Sequence, residues 1–412
     1  MFYLLILVVF SLSVILIFYR YILGILFRLI RPLSTDLSSH SLEVEKDYTW
    51  QPFVSFMIPC FNEGEHIYST IKSILSQDWP KDKLEVIVID DKSSDDTHEW
   101  ALKAKELGMV TVVRNKTNMG KRRCLVLATE MAQGEICVSV DSDVVVAEDA
   151  LKELVACFPK NPNIAAVGGL IGVSNTNVNW ITKSQTIKYF FSQELFKSTE
   201  NLFRTVFCLS GCLTAYRKKP IADLGKLLWR RKILGAPIKY GEDRYLTHLL
   251  ILNGWNTIVN LDARCWTKTP ETMQTLFSQQ LRWRRSNIVD WILTIRTLRK
   301  HFALLNPLVL LGYFSLMAYV IIYPLMISYL LISGFTVFAI LIHIVALLLL
   351  AGMYKIMTIL RGVEGVNNPA VFLYLAIILF VSYLIVTPLA MFTLSSVSWE
   401  TRQKKEEYQG ET

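Results

Sequence analysis

Apolar and polar positions divide the chain into a soluble-looking middle and two strongly apolar ends. Residues 2–30 are almost continuously apolar, enough to cross a hydrocarbon core of roughly 30 Å as one helix. No basic stretch precedes this run and no small-residue cleavage site closes it, so it reads as a membrane span and not as a removable leader. Residues 307–331, 335–353 and 371–394 are three more long apolar stretches. Pro388 lies inside the last of them. A proline within a helix removes a backbone hydrogen bond, which predicts a bent or re-entrant segment returning to the face it left.

The middle alternates two kinds of pattern. Short β-type runs at 54–60, 84–89, 110–114 and 136–140 are separated by helical patterns ending near 77, over 97–107 and ending near 132. That alternation predicts an α/β fold with a mostly parallel sheet covered on both faces. Two of the runs end in carboxylates, Asp90-Asp91 and Asp141-Ser142-Asp143. Open sheets of this class bind ligands just beyond the carboxyl ends of their strands. Over 180–202 the positions Ile181, Ile187, Phe190, Phe191, Leu195 and Phe196 form an amphipathic helix, expected either on a membrane surface or on the sheet. Residues 206–216 read as a strand interrupted by Ser210-Gly211-Cys212, and after Thr272 a helix carries Gln279, Gln280, Arg282 and Trp283.

Composition sharpens this picture in three places. A hydrophobic share of 52% over 412 residues is too high for an ordinary soluble enzyme, and the excess sits at the ends. The net charge of +8 does not point to nucleic acid. Arg20, Arg28 and Arg31, and later Arg282, Arg284, Arg285, Arg296, Arg299 and Lys300, lie beside apolar segments. That placement predicts loops on the cytoplasmic side, against a lipid bilayer or an anionic diphosphate. The 7 cysteines are scattered without metal or redox spacing, as expected of a reduced, cytoplasmic domain.

Asp141 and Asp143 flank one residue at a strand end, so both side chains reach one ligand site. Mg2+ and Mn2+ prefer such oxygens and share their coordination with phosphates. Alone, an Asp-x-Asp turn is more often simply solvated, Asp90 to Thr97 reads equally as a helix cap, and Lys121-Arg122 as a solvated basic pair. In Gly241-Glu242-Asp243-Arg244, Asp243 is the best candidate for a general base.

In this order and at these separations, the set resembles the family 2 inverting glycosyltransferases. Within them it is similar to the membrane-embedded processive synthases of hyaluronan, chitin and chitooligosaccharide, and cellulose, over residues 54–402. The resemblance implies a Rossmann-like GT-A domain. It implies Asn62, Glu63, Asp91 and Asp141 at the nucleotide-sugar, and Asp143 with Asp141 at Mg2+ or Mn2+. Gly120-Lys121-Arg122 resembles the GKR element of the hyaluronan and chitin branch, which implies Lys121 and Arg122 at the diphosphate or uracil of the nucleotide-sugar. Ser210-Gly211-Cys212 sits where that branch has an acceptor element, and Asp243 matches its catalytic base, with Glu242 where Asp is more usual. Gln279, Gln280, Arg282 and Trp283 resemble QxxRW, which takes acceptor sugar and diphosphate; a Trp face stacks on a sugar while Arg supplies charge. Trp399-Glu400-Thr401-Arg402 resembles a WGTR gating loop over the nucleotide, with Glu400 in place of Gly.

The expected organisation is a membrane helix at 1–31, a linker at 32–52 and a cytosolic catalytic domain at 53–275. Interfacial helices at 276–306, transmembrane or re-entrant helices at 307–395 and a gating tail at 396–412 complete it. The implied activity is polymerisation from a UDP-sugar donor onto a growing polysaccharide acceptor at the plasma membrane, with no nucleic acid involved. A non-processive single-sugar or lipid-linked-sugar transferase, and an inactive transferase-like scaffold or transporter, are the alternatives.

Overall fold

The computed structural model describes residues 44–228, 231–233, 235–238, 240–297, 299–300, 304–305, 307–334, 336–361 and 366–394, with positions 15, 19, 22 and 26. Apart from those four positions the membrane helix expected at 1–31 lies outside these residues, as do most of the linker and the tail bearing Trp399 and Arg402. The described chain forms two compact units, one from 44–174 and 200–268, the other from 175–199 and 269–394.

The first unit is built on a sheet of eight strands. In chain order the strands are β1 (Val54–Cys60), β2 (Leu84–Asp90), β3 (Val110–Arg114), β4 (Ile136–Val140), β5 (Val145–Val146), β6 (Ile164–Val173), β7 (Leu213–Arg217), the hairpin strands β8 (Lys232–Ile233) and β9 (Ala236–Pro237), and β10 (Asn256–Thr267). The order across the sheet is β3-β2-β1-β4-β7-β6-β10-β5. Every residue of β1, β2 and β4 is buried, as expected of central strands covered on both faces. Met57, Ile87 and Ile89 from these strands pack with Cys124, Leu125 and Ala128 of the helix Lys121–Met131 and with Leu249 and Leu250 of the helix Glu242–Leu252.

β1 through β4 are mutually parallel, and the chain reverses its march across the sheet at β1, which has β2 on one side and β4 on the other. The acidic turns after β2 and β4 therefore share the edge beside that switch point. The sheet as a whole is mixed but mostly parallel, as expected, with β1 to β4, β6 and β10 running one way. β7 runs antiparallel to both β4 and β6, and β5 antiparallel to β10. The expected strand over 206–216 is shorter than its pattern: it starts at Leu213, after Ser210-Gly211-Cys212. Because β7 is antiparallel, its first residue pairs with the last of β4, Leu213 with Val140. That register delivers Gly211 and Cys212 to the acidic edge.

The second unit is helical. Asn179 opens the helix Trp180–Tyr189 with a capping box: its side chain accepts from the amides of Ile181 (2.9 Å) and Thr182 (3.1 Å) while the Thr182 hydroxyl accepts from its own amide. A π-helical turn follows at Phe190–Phe196. Ile187, Phe190, Phe191 and Leu195 pack on Tyr354 of the helix Thr336–Arg361 and on Val371, Phe372 and Leu375 of the helix Ala370–Val381. The apolar stripe read from 180–202 thus finds the carboxyl-terminal helices, a partner neither sequence-based alternative named.

Among the described residues one helical run, Ala370–Phe392, is long and apolar enough to cross a bilayer. It passes Pro388 without stopping. One turn earlier, Ser382–Val386 widens to a π-turn in which the Thr387 amide and hydroxyl both donate to the Ser382 carbonyl. A wider turn relieves the clash between a proline ring and the carbonyl four residues back. Arg284 of the helix Met273–Arg296 grips this turn, donating to the Ser382 hydroxyl at 3.2 Å with its guanidinium 5.0 Å from the Tyr383 ring centroid.

Candidate active site

The turns after β1 and β2 are sewn to each other. Asn62, in the left-handed region at φ 53°, accepts the Ser94 amide at 2.9 Å on its side-chain oxygen, and its own amide donates to the Ser93 hydroxyl. The Thr97 hydroxyl oxygen accepts the amides of Glu63 (2.7 Å) and Gly64 (2.8 Å) and donates its proton to Asp95 (2.5 Å). Glu63 reaches the third turn, accepting from the Ser142 hydroxyl at 2.8 Å. Within the acid pair the two carboxylates divide the work. Asp90 is fully buried, takes the amide and hydroxyl of Ser93, and sits 3.3 Å from both His98 and Arg114. Asp91 is also buried, and its oxygens accept from the Asn115 side chain and from the amides of Met119 and Gly120, at 2.8, 2.8 and 2.6 Å. Asp91 therefore shapes the Met119-Gly120 loop that launches the helix Lys121–Met131.

Gly120, at φ 82°, turns the chain into that helix in a conformation side-chain-bearing residues rarely adopt. Lys121 follows and becomes the hub of the site: its Nζ lies 2.5 Å from Asp141 and 3.2 Å from Glu242. Arg122 points elsewhere, donating to the carbonyl of Leu228 at 3.0 Å. Next to the hub, the Gly211 amide donates to Asp243 at 3.3 Å and the Cys212 thiol lies 3.5 Å from Asp141. A Cβ on Gly211 would stand 2.8 Å from the Lys121 nitrogen and 3.2 Å from an Asp141 oxygen, so a side chain here would push the ammonium off its present position. The Ser210 hydroxyl accepts the Cys212 amide and its carbonyl accepts the Thr214 hydroxyl, which holds the turn. Asp243 stands in the first turn of the helix Glu242–Leu252, its carboxylate also accepting the Arg244 amide at 2.8 Å.

The charges are strongly coupled. Burial pushes the Asp243 carboxyl up from the ordinary aspartate value and Glu242 adds to it, against the pull of Lys121 and Arg244. Burial opposes the Lys121 ammonium, yet Asp141, Glu242 and Asp243 hold its pKa well above the ordinary lysine value. Burial, then Asp141, Cys265 and Asp143, drive the Cys212 thiol well up, so it stays a neutral thiol at the site. Among the described residues no three His, Cys, Asp or Glu side chains form a ready-made metal cage. A cation held largely by substrate phosphates needs only one or two carboxylates, and the hard oxygens of Asp141 and Asp143 suit that demand.

In the helical unit, Gln279, Arg282 and Trp283 lie half-buried on the helix Met273–Arg296. Trp283 has the Tyr189 ring at 6.3 Å and the Lys188 ammonium over its ring at 5.9 Å, and the Lys188 nitrogen also donates to the side-chain oxygen of Gln280. Burial, then Arg284, lowers the Lys188 pKa to about 7. Sequence reasoning missed Lys188 and the tie from Glu242 to Lys121, since neither is marked by spacing. The only hint was a lysine on the apolar side of an amphipathic pattern.

Residues 55–225 match the family described as glycosyl transferase family 2. The chain is 31% identical over 253 residues to an N-acetylglucosaminyltransferase of Rhizobium meliloti, covering 60% of this chain and 58% of that protein, so it spans less than two thirds of that relative's length. A hyaluronan synthase of Streptococcus pyogenes is 28% identical over 364 residues, covering 85% of this chain and 83% of that protein. A mannosyltransferase from Pyrobaculum calidifontis, solved in complex with GDP-Man and Mn2+, superposes with a TM-score of 0.51 at 20% identity, covering 94% of this chain and 97% of the other. That likeness concerns the fold, a GT-A domain on a mixed sheet.

Proposed function

We propose that the chain is a family 2 glycosyltransferase, a membrane-embedded, inverting enzyme that polymerises sugar from a UDP-sugar donor into an exported polysaccharide. UDP-N-acetylglucosamine is the favoured donor, with or without UDP-glucuronic acid; relatives named N-acetylglucosaminyltransferase and hyaluronan synthase support this. One observation carries the reading: Lys121, Gly211 and Cys212 tie the carboxylates of Asp141 and Asp243 into a single cluster, although they are a hundred residues apart in sequence.

In the proposed reaction the Asp243 carboxylate takes the proton of an acceptor hydroxyl. The freed oxygen forms a bond to the anomeric carbon from the face opposite the diphosphate, and the carbon–oxygen bond to the diphosphate breaks with its electron pair leaving on UDP. Asp141 and Asp143 would hold Mg2+ or Mn2+, which would supply neutralisation of the diphosphate charge. Lys121 brings a cation to the same place, and the raised pKa of Asp243 suits a base that accepts a proton in the transition state. Gln279, Arg282 and Trp283 serve diphosphate and acceptor sugar, and Trp399 and Arg402 the nucleotide, as their motifs imply. The apolar run Ala370–Phe392 supports a bilayer location, with the catalytic unit on the cytoplasmic side of the plasma membrane.

Membranes carrying the chain, given radiolabelled UDP-N-acetylglucosamine, are expected to make polymer that EDTA abolishes. Asp243→Asn should lower the rate about a hundredfold or more, the scale of a lost general base. A single short product of fixed length would favour a non-processive transferase, and full activity in Asp243→Asn would remove the base assignment.

A further inference from the structure

Lys188 is a buried amine in an unhelpful place for stability. Its nitrogen is held by the Gln280 side chain and lies over the Trp283 ring, Arg284 is a second positive group nearby, and among the described residues no carboxylate pairs with it. A desolvated ammonium without a counter-charge costs free energy, and an apolar side chain of similar size would cost less. Burial and Arg284 lower its pKa to about 7, which is that cost expressed as proton affinity. The geometry answers what the amine is for. A cation within about 6 Å of an indole centroid is attracted to the ring face. Gln280, one turn-neighbour of Trp283 on the same helix, fixes where the amine sits. Tyr189, next to Lys188 in sequence, covers the ring at a 53° tilt. The indole thus has Lys188 and Tyr189 against it, with Gln280 holding the lysine, and is still only half-buried.

We propose that Lys188 is a positioning residue for Trp283: anchored on Gln280, it sets the plane of the indole on which an acceptor sugar stacks. The inference rests on the sugar-stacking role given to Trp283 above. Lys188 acts through the ring, so removing it should weaken acceptor binding more than turnover.

The test uses the full chain in membranes with UDP-N-acetylglucosamine as donor and N,N'-diacetylchitobiose as added acceptor. In Lys188→Met the acceptor KM should rise about three- to tenfold, with donor KM and kcat each moving less than about twofold. Lys188→Arg, which keeps a cation over the ring, should restore most of the loss. Thermal midpoints separate this from a packing role: Lys188→Met should unfold at the same temperature as the parent or higher. Should that variant fail to accumulate, Gln280→Leu removes the anchor and should raise the acceptor KM in the same direction. An acceptor KM unchanged in both variants, or a loss that tracks a lower melting temperature and is not rescued by arginine, overturns the inference while leaving the proposed function standing. No turnover by the unaltered chain overturns both.

Discussion

Asp243 and Glu242 are neighbours whose charges collide, and the collision has a measurable sign. Burial first and Glu242 second raise the Asp243 pKa, and a base works only when deprotonated. The acid limb of kcat/KM should therefore lie above the ordinary aspartate value. Glu242→Gln removes one of the two causes, so the limb should move towards lower pH; a pH–rate profile in which it stays put or moves up would refute this origin of the shift. The same raised value means that Asp243 favours the fold at low pH, a contribution lost as pH rises through its folded pKa. At this scale the sequence was informative about residue type and silent about partners. Asp91 reads as a nucleotide ligand from its position, yet its oxygens take two loop amides and the Asn115 side chain. A carboxylate written in sequence looks the same whether it meets a ligand or the backbone.

Among elements, strands with unbroken apolar runs and an acidic end were legible, because burial on both faces leaves a continuous signature. β6 and β10 were not. Gly168-Gly169 interrupts the first, and the second mixes Asn260, Asp262 and Arg264 with a shift of register between Asn260 and Arg264. Strand direction leaves no mark in composition either, so the antiparallel β7 that brings Gly211 to Asp141 had to be seen. Pro388 predicts a bent or re-entrant segment, and what the helix shows one turn before it is a π-turn gripped by Arg284. Arg284→Ala removes a hydrogen bond and a cation–π contact, together worth about 1–3 kcal/mol. A lower midpoint in detergent-solubilised thermal unfolding is expected; an unchanged one would mean the turn is held by its helix alone.

For the whole molecule, the pattern separated a sheet-bearing middle from helical ends, but it drew the boundary as one cut in sequence. The second unit instead takes 175–199 out of the middle of the chain, where Ile187, Phe190 and Phe191 pack on the carboxyl-terminal helices. With apolar helices of this kind, the chain should stay in the membrane pellet after an alkaline carbonate wash, and release into the supernatant would count against a bilayer-spanning part. The knot at Thr97 has a mechanical corollary for the sheet-bearing unit. One hydroxyl oxygen, with both acceptor positions and its single proton committed, leaves the rims beyond β1 and β2 no independent hinge. They are therefore expected to move together, as one stiff jaw.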